Sequence, residues 1–326
     1  MSDSLFQQFK NKKVLVVGDV MIDAYLSGRV ERISPEAPVP IVEIRNRVYR
    51  VGGAANVALN VKSLGAEAIL CSVIGQDEKA EIFLNLLAEN DLPSEGICSS
   101  EKRKTTIKYR IIGNKAQMLR IDEEQTEPIS PEEEMSLWEK MQNILQAQKI
   151  DAIIFEDYDK GVLSAELIKK IVSFASQHNI LTAVDPKKRN FHHYAGVDLF
   201  KPNLKELSEG LKVDKEELPL ASIHRLMSDF AVKNDIGLML TTLSERGVAL
   251  YDSKQDAFFS EPASPRQISD VSGAGDTVIS VITLCLSAGL APVASASMAN
   301  LAGGIVCEYA GVVPITPEMI QKKRKS

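Results

Sequence analysis

Asp270-Val-Ser-Gly-Ala-Gly-Asp276-Thr runs straight into an apolar stretch from Val278 to Leu286, placing a glycine turn, a helix start and an ionisable carboxylate within a few residues. Gly273 and Gly275, which flank Ala274, have no Cβ, so the backbone there can approach a ligand closely. The first amides of the helix that follows have no acceptor within it and would face a transferring phosphoryl group. Asp276 lies beside the positive end of that helix, where a carboxylate stays ionised at neutral pH and can take a proton from an attacking hydroxyl. Glycine and aspartate are also ordinary helix-start residues, and capping accounts for the same pattern.

Further polar residues follow short apolar runs, and ligands of open α/β sheets bind beyond the carboxyl ends of their strands. Asp19 and Asp23 follow the first run; a carboxylate accepts hydrogen bonds from vicinal hydroxyls, which suits Asp23 to a polyol, whereas turn closure fits Asp19 better. Gly52-Gly53-Ala-Ala-Asn56 opens a helical pattern with bare backbone and one amide, and a tight helix entry explains its glycines equally well. Lys201-Pro-Asn203-Leu-Lys-Glu206 offers oxygens suited to hydrated magnesium, although Asn203 could simply cap a helix. Thr242-Leu-Ser244-Glu-Arg-Gly247 joins two strands and offers hydroxyls and permissive backbone to a nucleotide.

The elements that must hold these groups are legible as apolar runs. Lys13 to Gly18, Ala68 to Ile74, Asp151 to Phe155, Ile180 to Val184, Asp198 to Phe200 and Leu238 to Leu243 read as strands buried on both faces. Helical patterns at Glu78 to Asn90 and Ala165 to His178 separate them, which predicts βαβ units and a doubly wound sheet. Ser130, Pro131 and Glu133 signal a capped helix start. Residues 25–50 and 104–121 carry β-rich patterns without a long helix between their strands, predicting a small β lid inserted into a single domain of residues 1–326.

The 326 residues are 44% hydrophobic and 25% charged, a globular composition, and the formal net charge of -6 argues against electrostatic capture of nucleic acid or anionic membrane. Cys71, Cys98, Cys285 and Cys307 show no metal spacing and fit a reducing compartment. The N-terminus lacks signal-peptide organisation and no apolar run approaches the roughly 20 residues of a membrane span, so a soluble cytoplasmic protein is expected. There is no GxxxxGK[ST], and Val278 stands where a dinucleotide fingerprint needs its third glycine. His192 and His193 lie outside any HExxH or HxGH context.

Taken in order, Gly18 to Asp23, Gly52-Gly53-x-x-Asn56, Asn203-x-x-Glu206, Thr242 to Gly247 and Gly273-Ala-Gly-Asp276 resemble the ribokinase, or PfkB, family of carbohydrate kinases over nearly the whole chain. Gly18-Asp-Val-Met-Ile-Asp23, Arg32-Ile-Ser-Pro-Glu-Ala-Pro-Val-Pro40, Val51-Gly-Gly-Ala-Ala-Asn-Val57, Met118-Leu-Arg-Ile-Asp122 and Asp157-Tyr-Asp-Lys-Gly161 are similar to the D-glycero-β-D-manno-heptose-7-phosphate kinases of lipopolysaccharide inner-core synthesis. Ala54 replaces the lysine common in ribokinases, which disfavours ribose, and the lack of HxGH resembles the kinase without its nucleotidyltransferase partner domain.

The resemblance implies a three-layer α/β/α sandwich with a mostly parallel sheet and a β lid, and ATP-dependent phosphorylation of the anomeric hydroxyl of the heptose 7-phosphate. It implies Asp276 as general base, Gly273, Ala274 and Gly275 as anion hole, and Asp23, Gly52, Gly53 and Asn56 as sugar ligands. Asn203 and Glu206 would order hydrated Mg2+, and Thr242, Ser244 and Gly247 would lie along the ATP phosphates. Arg120, Asp157 and Lys187 complete the substrate-binding set. Lys187 is the first candidate for the 7-phosphate, ahead of Lys160, Arg120 and Arg110, because a dianion recruits basic groups. A monovalent cation near Asp270 and a homodimer joined through the lids are further expectations. The competing readings are a PfkB kinase for another sugar and an inactive sugar-binding regulator.

Overall fold

The computed structural model describes residues 2–213, 218–264 and 267–324. After α1 (Ser2–Phe9), β1 (Lys13–Gly18) passes through the single residue Asp19 into β2 (Val20–Ile33), which returns as β3 (Pro40–Gly53). β3 then enters α2 (Ala54–Ser63) with no residue between them. There follow β4 (Glu67–Gly75), α3 (Glu78–Glu89), β5 (Ile97–Ser100), β6 (Ile107–Gly113), β7 (Ala116–Glu123) and α4 (Pro131–Ala147). Next come β8 (Ala152–Glu156), α5 (Ala165–His178), β9 (Leu181–Asp185), β10 (Leu199–Phe200), α6 (Leu204–Gly210), α7 (Leu220–Lys233) and β11 (Leu238–Thr242). The chain closes with β12 (Val248–Asp252), β13 (Ala257–Glu261), α8 (Ala274–Ser287), α9 (Pro292–Val306) and α10 (Pro317–Arg324).

Nine strands form the main sheet in the order β13-β12-β11-β10-β9-β8-β1-β4-β5, parallel from β5 to β11 with an antiparallel edge at β12 and β13. Side chains alternate across a strand, and here both faces are covered: Val14 and Val16 join one apolar cluster with α2, α8 and α9, while Leu15 and Val17 join another with α4, α5 and α7. That is the α/β/α sandwich expected from the alternating runs. The helix ends follow local chemistry: Ser130 and Glu133 form a reciprocal capping box at α4, and Ser164 caps α5 through the amide of Leu167.

β3, β2, β6 and β7 form a second, four-stranded sheet, with β2 and β3 antiparallel over fourteen residues each. It begins deeper than the alternating patterns at 25–50 and 104–121 indicate, because Val20, Met21, Ile22 and Ala24 are apolar, all of residues 20–24 are buried, and the stretch reads as core. Among the described residues no helix is long and apolar enough to cross a membrane.

Candidate active site

The carboxyl ends of β1, β8, β9 and β10 meet the start of α8, and there the charged groups converge. Gly273 enters α8 with φ 77°, in the left-handed region open to glycine, and a Cβ on it would lie 3.1 Å from Asn56 Nδ2. Asp276, in the first turn, is buried and accepts hydrogen bonds from Asn56 Nδ2 at 2.6 Å and from the Tyr158 hydroxyl at 3.0 Å. Burial raises its pKa, opposed by the Asn56 hydrogen bond; the neighbouring Asp185 charge raises it further, and the Tyr158 bond and Lys201 work against that. Asp276 is thus a desolvated carboxyl aimed by two donors, the state a general base needs.

Glu156 at the end of β8, Asp185 at the end of β9 and Asp276 present carboxylate oxygens that all lie within 4.8 Å of one another. Both oxygens of Glu156 are buried without a hydrogen-bond partner, and burial, followed by the charges of Asp185 and Asp276, pushes its pKa well up. Asp185 differs: burial would raise it, but Lys187 at 3.3 Å and Lys201 at 2.8 Å overcome that and lower its pKa. Three carboxylates, one of them with neither oxygen served by a donor, are the donor set a divalent cation takes. Gly275 turns its Cα toward the same cluster: a Cβ there would lie 3.5 Å from Asp185 Oδ2 and 3.7 Å from Lys201 Nζ.

The predicted sugar and nucleotide residues divide into those that meet this cluster and those that do not. Asp23 is buried and ion-paired with Arg110, and a Cβ on Gly52 would stand 2.6 Å from Asp23 Oδ2, so the first glycine makes room for this carboxylate. Gly53 has φ 61° and packs on the Asp19 carbonyl, 2.4 Å from where its Cβ would be. Asp19 closes a loop, accepting from the amides of Tyr158 at 2.8 Å, Lys160 at 3.0 Å and Val162 at 3.0 Å. Asn203 and Glu206 form a reciprocal capping box at α6, and Glu206 also binds Lys187 at 2.5 Å. Asn203 bridges to Thr242 at the end of β11. Ser244 and Gly247 sit in the turn that follows, at φ 54° and 85°, where Gly247 packs against the Glu261 carbonyl.

Three of the predicted substrate residues are held by other groups of the chain. Lys187 lies between Asp185 and Glu206, so its charge is already compensated and it belongs with the carboxylate cluster. Asp157 accepts from Asn190 Nδ2 at 2.9 Å, the Tyr194 hydroxyl at 2.8 Å and the Asp159 amide at 2.9 Å, and is a buried scaffold group. Arg120 is paired with Asp122 at 3.0 Å and keeps 55% of its side-chain surface exposed. Conversely, Glu156, Tyr158, Asp185 and Lys201 are in the cluster without having been singled out, although each stands at or just after the end of a predicted strand, the position that signals a ligand edge.

With a buried carboxylate at a glycine-entered helix start, facing carboxylates and lysines on the strand ends, the chain is a carbohydrate kinase of the ribokinase-like fold. Solved structures agree on the fold: phosphofructokinase-2 from Escherichia coli in complex with potassium superposes with a TM-score of 0.76 at 18% identity, covering 95% of this chain and 97% of that one. Arabidopsis thaliana ribokinase complexed with ribose and ATP gives 0.73 at 16%, covering 97% and 99%. The model of the pfkB family carbohydrate kinases matches residues 11–319, and the chain belongs to that family. It is similar to the bifunctional protein HldE of Sulfurimonas denitrificans, 39% identical over 96% of this chain and 64% of the relative, and to HldE of Methylobacillus flagellatus, 39% over 96% and 63%. The chain therefore spans under two thirds of the length of these curated relatives.

Proposed function

We propose that this kinase transfers the γ-phosphoryl group of ATP to the anomeric oxygen of D-glycero-β-D-manno-heptose 7-phosphate, giving the 1,7-bisphosphate, a cytoplasmic step toward ADP-heptose for the lipopolysaccharide inner core. The observation that carries the reaction is the buried Asp276 carboxylate held by Asn56 and Tyr158 at the start of α8. The heptose assignment is supported by the motifs from Gly18 to Asp23 and Val51 to Val57 and by the similarity to HldE proteins.

Asp276 takes the proton of the anomeric hydroxyl as that oxygen bonds to the γ-phosphorus and the bond to the ADP oxygen breaks. The backbone from Gly273 to Gly275, where the Ala274 amide donates to the Val271 carbonyl at 3.3 Å, would face the negative charge on the transferring group, with Lys201 at the end of β10 close by, so electrostatics and positioning carry the step. Mg2+ would be held by Glu156 and Asp185, with Glu206 behind them, and would supply charge neutralisation between the nucleotide phosphates. Asp23, with Gly52 and Asn56, holds sugar hydroxyls, and Thr242, Ser244 and Gly247 border the nucleotide. A monovalent cation beside Asp270 belongs to the same reading; unchanged activity on replacing potassium by a bulky organic cation would remove it.

The second sheet acts as the lid. Its exposed apolar residues, among them Ile33 at 61%, Leu119 at 55% and Ile121 at 45% exposure, support a homodimer joined lid to lid. A concentration-independent monomer in light scattering would exclude that dimer. The assignment of substrate is tested by ADP release with heptose 7-phosphate, fructose 6-phosphate, ribose and adenosine, followed by 31P NMR of the product. Preference for the heptose with phosphorus on the anomeric oxygen is expected; preference for another acceptor replaces it.

A further inference from the structure

Lys108, on the face of the lid shared by Asp23, has no counter-ion among the described residues. In the sheet it stands between Asp23 on β2 and Asp122 on β7. Neither carboxylate serves it, because Asp23 is paired with Arg110 and Asp122 with Arg120 at 3.0 Å. Glu124, the other acid that acts on Lys108, is bound by Lys160 at 2.7 Å. Three acids are thus matched by three other bases, and the ammonium of Lys108 is left over. It rests over the ring of Tyr158, 5.8 Å from the centroid, and makes no hydrogen bond or ion pair.

We propose that Lys108 receives the phosphate that the acceptor sugar already carries. Position supports this: the Tyr158 hydroxyl is bonded to Asp276 while its ring lies under Lys108, so one tyrosine separates the acceptor carboxylate from the surplus cation. A sugar with its anomeric oxygen at Asp276 and its far end toward the lid spans that separation. Charge supports it too. Burial and the repulsion of Lys160 depress the Lys108 pKa against the pull of Glu124, Asp122 and Asp23, so the site is short of negative charge that a phosphate would bring. Lys187, the other ammonium on Tyr158 at 5.2 Å, is neutralised by Asp185 and Glu206 and sits on the nucleotide side.

The inference rests on Asp276 as acceptor of the anomeric proton, and its test is a ratio that separates it from the choice of sugar. For wild type, Lys108→Met and Lys108→Arg, kcat/KM is measured for heptose 7-phosphate and for the same heptose without phosphate. Lys108→Met should lower the ratio of the two by about 10–100-fold, the scale of one hydrogen bond to a charged group, and Lys108→Arg should restore most of it. A ratio unchanged in Lys108→Met, or a wild type that prefers the unphosphorylated sugar, overturns the proposal. Should heptose 7-phosphate fail while fructose 6-phosphate is turned over, the heptose reading falls and the same ratio, taken with fructose 6-phosphate and fructose, decides on Lys108. If Lys108→Met does not fold, Lys108→Gln replaces it under the same criteria.

Discussion

Asn56 donates its amide to Asp276 Oδ2 at 2.6 Å, tying the first turn of α2 to the first turn of α8 across 220 residues of sequence. The contact joins the helix that follows the paired glycines to the acid at the second glycine turn. It is also the largest influence lowering the Asp276 pKa against burial.

Replacing Asp276 by Asn keeps the shape and removes the base. We expect Asp276→Asn to fold, to bind sugar and ATP, and to lose roughly 2–4 orders of magnitude in kcat, the scale of general-base loss. Turnover near that of wild type would remove Asp276 from the mechanism.

The pH dependence follows from the same bond. The base must be ionised, so activity falls as pH drops through the Asp276 pKa, which burial has already raised. Asn56→Ala takes away a group that lowers this pKa, so the acidic limb of the kcat profile should move to higher pH. A limb that stays in place, or moves to lower pH, contradicts the assignment.

Glu156 carries a stability prediction of unusual sign. Its folded pKa lies above the ordinary glutamate range, so the folded chain binds the proton more tightly than the unfolded one. Its contribution is therefore favourable in acid and lost as pH rises from the unfolded value through the folded one. Without metal, Glu156→Gln should melt higher than wild type at pH 8, by a few degrees, with the gap closing toward pH 4. Mg2+ is expected to raise the melting temperature of wild type and not that of Glu156→Gln, measured by calorimetry without substrates.

Asp19 organises the loop that carries Tyr158 and Lys160 through three amide hydrogen bonds. Asp19→Ala leaves those donors orphaned and should cost about 3 kcal/mol in urea unfolding. Asp19→Asn, which can still accept, should cost less; equal losses would mean the hydrogen bonds are not what the carboxylate supplies.

Gly52→Ala would drive a methyl into Asp23 Oδ2. Displacing Asp23 should raise KM for the sugar on the order of tenfold, a loss of about 1.4 kcal/mol, far more than KM for ATP. Equal changes in both constants would place Asp23 outside the sugar site.

The parts of this site carried by short-range sequence were legible, because Gly273 to Asp276 and Gly52 to Asn56 each build their geometry within one turn. The parallel strands were legible for a related reason: with both faces covered, Lys13 to Gly18 must be apolar throughout. What escaped depends on lateral order. Only when β8, β9 and β10 lie side by side do Glu156, Asp185 and Lys201 meet, and nothing in each short run names its neighbour. Lys187 looked like a free cation in sequence, and the approach of Glu206 from the next helix is what neutralises it. The antiparallel edge strand β13 is half-exposed and carries none of the continuous apolar signal of the inner strands.

At its root the β2–β3 hairpin of the smaller sheet is joined to the sandwich by one residue, Asp19, on the way out and by none on the way back, where β3 becomes α2. A flap on slack tethers could open without consequence for the chemistry beneath it. This one is tied short: a tilt of the hairpin would turn the first coil of α2 and with it Asn56, whose amide is bonded to Asp276.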